Sequence, residues 1–218
     1  MDRMEAIAKD FVEQKPNVIF AGNTPSVQAL LRQTRTIPIV FTNLSDPIGT
    51  GIVENLTRPG ANATGFTAYE YSLAGKWLEL LREIAPSVTR VAVLFNPEGA
   101  PYARYYLSFI EGSAPAFGMT VTGAPIRSIT EIEAAIEAQA RLPGGGLIVL
   151  PETFTFTHRV QQIAVAARHR LPAIYALRAQ ALDGGLLSYG PDTLDLYRRA
   201  ASYVDRVLRG EKPGDLPI

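Results

Sequence analysis

Residues 90–97 read RVAVLFNP and residues 146–153 read GLIVLPET. Each is a short apolar run rich in Val, Ile and Leu, closed by proline and a polar side chain. Runs this short and continuous are too brief for helices and match strands buried on both faces. Between them lie Tyr102–Phe117, with apolar residues at helical spacing, a strand over Met119–Ala124 and a helix over Ser128–Arg141. Strand, helix, strand, helix at this spacing predicts parallel sheet with covering helices.

Working outward, the same rhythm holds. Toward the C-terminus come a helix over Thr157–Arg170, strands over Leu171–Tyr175 and Gly185–Tyr189, and a last helix from Pro191 to Arg209. Toward the N-terminus come a helix over Glu70–Ile84, closed by Pro86, and strands over Asn62–Thr67, Thr36–Thr42 and Asn17–Gly22. Thr24 reads as the N-cap of a helix to Gln33 with Pro25 at its first position. A loop over Asn43–Pro47 opens a short helical turn through Leu56, and Met1-Asp2-Arg3-Met4 reads as the start of an amphipathic helix rather than a secretory leader. Segment 90–190 holds five strands and segment 1–67 only three. The expectation is α/β with two lobes, the first incomplete: residues 1–70, with 191–218 packing back, and residues 71–190.

Ligands of open parallel sheets bind beyond the carboxyl ends of the strands, where helix N-termini also point. Nearly every such end carries a polar or aromatic group here: Asn23-Thr24, Ser45-Asp46, Tyr69, Asn96, Glu152-Thr153, Tyr175 and Ser188-Tyr189. Two lobes facing each other across these ends would line one cleft with them. Each also has an ordinary structural reading. Thr24 and Ser45-Asp46 make good caps, Asn96-Pro97 is a common turn, Glu152 suits a solvated loop, and the tyrosines suit packing. Trp77 and Phe109 read as core, and Asp195 with Arg199 as an ion pair one helical turn apart.

Composition narrows the chemistry. Twenty-one Lys and Arg balance 21 Asp and Glu over 218 residues, so no broad positive field invites nucleic acid or an anionic membrane. With no cysteine, thiolate nucleophiles, disulfides and zinc–thiolate sites are excluded. His158 and His169 are too far apart along one predicted helix to share a metal. No GxSxG elbow, GxxxxGK[ST] loop or GxGxxG turn follows a strand. No apolar run approaches the roughly 20 residues of a membrane span. The reading therefore calls for no metal, no cofactor and no catalytic set.

Longer strings carry a family likeness. IPIVFTNLSDPIGTGIVENLTRPGANATGF (37–66) resembles the signature region of ABC-transporter substrate-binding proteins, relatives of tryptophan-binding members. KWLELLREIAPSVTRVAVLFNP (76–97), GLIVLPETFTF (146–156), LPAIYA (171–176) and GGLLSYGPD (184–192) follow in the same order. The resemblance implies a type I periplasmic-binding-protein fold with two Rossmann-like lobes and a solute trapped between them. It implies an exported, periplasmic receptor that delivers the solute to an ABC permease. Family members begin with a further β-α-β unit and end with a further crossover strand and helix, so the likeness implies truncation at both ends and an incomplete first lobe whose open sheet edge offers a second copy a place to pair as a homodimer.

Carried over by position, the family's contacting loops fall on Asn23, Thr24, Ser45, Asp46, Tyr69, Asn96, Glu152, Thr153, Tyr175, Ser188 and Tyr189. Helix N-termini at Thr24 and Asn96 would take a carboxylate, Asp46 or Glu152 an ammonium, and the tyrosines an aromatic body. The expected solute is an amino acid or aromatic acid. A ligand-sensing regulatory domain of the same fold is the next reading, and an α/β enzyme a distant third.

Overall fold

The computed structural model describes residues 2–141 and 143–218, the side chain of Asp2 excepted; Met1 of the expected opening helix lies outside them. The described residues run α1 (Asp2–Glu13), β1 (Ile19–Ala21), α2 (Thr24–Gln33), β2 (Ile39–Ser45), β3 (Ala63–Tyr69), α3 (Leu73–Ile84), β4 (Arg90–Phe95), α4 (Ala103–Ser113), β5 (Thr120–Pro125), α5 (Ile129–Ala140), β6 (Gly145–Val149), α6 (Thr153–Thr157), α7 (Arg159–Arg168), β7 (Ala173–Tyr175), α8 (Arg178–Leu182), β8 (Leu187–Ser188) and α9 (Thr193–Leu208). They form two compact units: the chain up to Tyr69 with Asp192–Ile218, and Glu70–Pro191.

In the first unit the sheet order is β1-β2-β3, all parallel. Ile39, Phe41 and Leu44 of β2 pack with Val27 and Leu30 of α2 and with Ala8 of α1. The C-terminal segment closes on the same unit. The Phe66 and Tyr203 rings lie 4.7 Å apart, Thr64 Oγ1 donates to the Leu216 carbonyl at 2.7 Å, and Ile218 N–H donates to Leu56 O at 2.8 Å. Arg199 lies over the Phe66 ring at 4.6 Å instead of pairing with Asp195. Asp192 caps α9, accepting from the Leu194 and Asp195 N–H groups, so the helix starts two residues beyond Pro191.

The second unit is a five-stranded parallel sheet, β5-β4-β6-β7-β8. Period-two alternation splits β4 and β6 between two cores. Leu94, Leu147 and Val149 pack with Ile132 and Ile136 of α5 and Ile163 of α7. Val91, Val93 and Ile148 are buried in the opposite register, on the side where Leu81 of α3 reaches Gly146. Trp77 of α3 is buried, stacks on Tyr106 with ring centroids 5.7 Å apart, and donates from Nε1 to Tyr189 O at 2.7 Å. Phe109 does not join this core; its ring lies near Gly75 of α3 and is 38% exposed.

Three local expectations need correction. β2 runs on through Asn43, Leu44 and Ser45, because β3 continues to pair with it there through an irregular register, and the turn that follows, with Thr50 N–H donating to Asp46 O at 3.0 Å, does not extend through Leu56. The helix expected over Thr157–Arg170 is α7, starting at Arg159, and a separate short helix, α6, precedes it with a break at His158. α8, between β7 and β8, was not foreseen.

Candidate functional site

In each parallel sheet the strands end at the same edge, so every β-to-α loop gathers there. In the first unit these are the loops after Ala21, Ser45 and Tyr69. Asn23, not Thr24, is the cap of α2: its Oδ1 accepts from the Ser26 N–H at 2.9 Å, while Thr24 is the first helical residue and buried. With Asn23 as the cap, Pro25 falls at the second helical position, where its missing N–H costs nothing.

Ser45 and Tyr69 are register partners at the ends of β2 and β3, both buried. Asp46 follows with φ 44°, in the left-handed region that aspartate and asparagine tolerate better than most residues. Its Oδ1 accepts from the Gly49 N–H at 2.8 Å, and its carbonyl accepts from both the N–H and the hydroxyl of Thr50. A Cβ on Gly49 would lie 1.8 Å from Asp46 Oδ2, so the small residue there lets the carboxylate take its place.

Asn43 was missed by the sequence reading. It has φ 56° at a register shift in β2, and its buried Oδ1 has no hydrogen-bond partner among the described residues. Bulges of this kind re-aim side chains beside binding sites, and an unsatisfied buried acceptor calls for a donor. The available signal was two Asx residues three apart across a strand end.

In the second unit the loops after β4 and β6 meet. Asn96 Oδ1 accepts from the Glu98 and Gly99 N–H groups, both at 2.9 Å, an Asx turn that fixes the loop. Glu152 caps α6: Phe154 N–H donates to Oε2 at 2.5 Å and Thr155 N–H to Oε1 at 2.7 Å. The Asn96 main-chain N–H also supports this carboxylate, and a Cβ on Gly99 would lie 2.8 Å from it. Glu152 is therefore not the solvated loop carboxylate that the sequence suggested; it is only 7% exposed. Burial pushes its carboxyl above the usual carboxylate range, against the downward pull of the Thr155, Phe154 and Asn96 donors. Thr153 beside it is exposed.

Tyr175, Ser188 and Tyr189 lie at the ends of β7 and β8. Tyr175 pairs with Ser188, and Tyr189 N–H donates to Tyr175 O at 2.9 Å. The Tyr175 ring does not stand at the edge as a stacking surface. It is 1% exposed, in the core with Ala173 and Ile163, where burial pushes its phenol far up. Strand alternation explains this, since Ala173 and Tyr175 share a face directed at α7. Tyr189, 39% exposed, keeps a ring accessible.

A second aromatic group went unnoticed in the sequence. Tyr71, just before α3, lies 5.4 Å from the ring of Tyr105 and 4.9 Å from that of Tyr106, both in the first turns of α4. Tyr102 OH donates to Pro151 O at 2.6 Å, tying this aromatic group to the β6 loop. The Y-x2-YY spacing at 102–106 was the available signal.

Among the described residues no three His, Asp or Glu side chains cluster as metal ligands, and no helix is long and apolar enough to cross a membrane. A family model described as ABC transporter substrate binding protein matches residues 1–218. The chain belongs to that family. A tyrosine-binding protein of Clostridioides difficile is 27% identical over 220 residues; the match covers 100% of this chain and 62% of that protein's length. A conserved domain protein of Vibrio cholerae superposes with a TM-score of 0.90 at 29% identity, covering 99% of this chain and 72% of that one. A Streptococcus pneumoniae ABC domain crystallised with L-Trp superposes with a TM-score of 0.91 at 22% identity, over 100% of this chain and 72% of that one. These likenesses establish the periplasmic-binding-protein fold.

Proposed function

We propose that the chain is the solute-binding part of an ABC importer, a periplasmic receptor rather than a catalyst, which captures an amino acid with an aromatic side chain and delivers it to a membrane permease. The observation that carries this reading is the build of the carboxyl edges. In both units polar side chains there are held by main-chain hydrogen bonds, and in the second unit Tyr71 and Tyr189 stand partly exposed in neighbouring loops. Such edges are preorganised for recognition, so little ordering is left to oppose binding. The tyrosine-binding relative and the L-Trp complex support the choice of solute.

Roles follow from what each group still has to offer. The N-terminus of α2 at Asn23-Thr24 would receive the solute carboxylate. Asp46, partly exposed, would face the ammonium, and the spare acceptor of Asn43 would take an N–H. Glu152, already engaged by three N–H groups, would shape the edge instead of binding charge. Tyr189, Tyr71 and Tyr105 would pack on the aromatic body.

A thermal-shift screen of the L-amino acids tests the reading. A ligand at about 100 times its Kd adds about 2.7 kcal/mol. For a chain of this size that raises Tm by about 5–10 °C. L-Tyr or L-Trp should do so, and a flat response to every amino acid would remove the proposal's support.

A further inference from the structure

We propose that the second unit carries another binding site, at the amino edge of its sheet, for a small aromatic carboxylate. A cavity of about 190 Å³ opens where the chain enters β7 and β8, bounded by α7 and by the turn through Gly184-Gly185. Its walls are mainly apolar, from Ile163, Ala166, Leu171 and Ala173, with the buried ring of Tyr175 lining it from within. An apolar cavity of about 150 Å³ accepts benzene. One aromatic ring therefore fits here with room for a small substituent.

The charge on the ligand follows from Arg170, which lines the same cavity. Three basic residues end α7. Arg168 and His169 both turn to Glu137 of α5, at 4.0 and 3.7 Å. Arg170 is exposed and has no carboxylate partner among the described residues. It sits at φ 52°, in the left-handed turn that closes α7, with Leu171 N–H donating to Ala166 O at 2.9 Å. Glycine is the usual residue there, because a Cβ is disfavoured at positive φ. Gly184 and Gly210 hold the matching positions after α8 and α9. The conformation alone does not single Arg170 out, since Lys15 after α1 shares it. The cavity beside it does. An arginine lining an apolar hollow selects a ring bearing a carboxylate, with the ring in the hollow and the carboxylate at the rim.

Benzoate and its neutral counterpart benzyl alcohol serve as probes, with binding read by chemical-shift perturbation up to about 10 mM, where a 1 mM site would be nine-tenths filled. The proposal expects benzoate to perturb Ala166, Leu171 and Gly185 of the wild-type protein and to bind more tightly than benzyl alcohol. Arg170→Gly, which relieves the left-handed residue and should fold at least as well, should weaken benzoate at least tenfold and leave benzyl alcohol unchanged. Ala167→Phe, placed on an exposed wall of the cavity, should abolish both. Saturating L-tyrosine should displace neither. Benzoate binding that survives both substitutions, that is absent from the wild type, or that L-tyrosine displaces overturns the proposal.

Discussion

Gly65→Ala puts the first unit to a demanding test. Gly65 lies in the middle of β3, paired with Phe41 of β2, at φ 155°. A Cβ there would sit 2.0 Å from the Phe41 carbonyl oxygen and 2.7 Å from its ring. Carbon and oxygen tolerate about 3.3 Å. The strands would have to part by more than about 1 Å, and the obstacle is main chain, which cannot rotate aside. A left-handed residue with a side chain costs about 1–3 kcal/mol. Overpacking adds about 1–3 kcal/mol. We expect a total near 4 kcal/mol, a large part of the roughly 5–15 kcal/mol of a typical domain. Urea unfolding followed by far-UV circular dichroism measures the loss. The single tryptophan, Trp77, belongs to the other unit, so its emission in the same titration reports whether the damage stays local. A dichroism curve within about 1 kcal/mol of wild type would refute the close β2–β3 approach.

Thr64→Val keeps the shape of a buried side chain but removes the donor to Leu216 O, and should cost about 1–3 kcal/mol in the same assay. Glu152→Gln probes the raised carboxyl. A raised native pKa favours folding in the protonated form, a contribution present below the ordinary carboxyl range and lost as pH rises through the raised value. The wild type should therefore lose ground to Glu152→Gln as pH rises from about 4 toward 7, and a pH-independent difference in urea midpoints would contradict this. Asp46→Ala should weaken amino-acid binding by about tenfold or more in calorimetry, as expected for a lost charge-assisted hydrogen bond. Leu171 and Gly185 amides should not shift when that amino acid binds.

The strands of the second unit were legible because their apolar runs are bounded by proline and polar residues; Arg90–Phe95 falls on β4 residue for residue. Parallel sheets covered by helices followed from that pattern. Ends and side-chain directions were harder. Asn43-Leu-Ser45 reads as loop because polar residues flank Leu44, yet pairing with β3 holds it in a strand. RAQAL at 178–182 is too short to show a period, so α8 left no trace. The polar clusters were found by their place after strands, but the sequence could not tell a side chain that faces the edge from one that turns inward. Tyr175 turns into the core and Glu152 is enclosed by N–H donors, both decided by tertiary packing. Asn43, Tyr71 and Tyr105 were passed over because the Asx pair and the tyrosine spacing that mark them gain meaning only once β2 pairs with β3 and the rings meet.

The central proposal is that the loops at the carboxyl edge of each sheet recognise an amino-acid solute. Hydrogen exchange by mass spectrometry, with and without saturating L-tyrosine or L-tryptophan, tests it most directly. The account predicts slowed exchange over residues 45–50 in one unit and over 96–99 and 152–155 in the other, together in one titration. Protection confined to a single unit, or found only at the amino edges of the sheets, would contradict it.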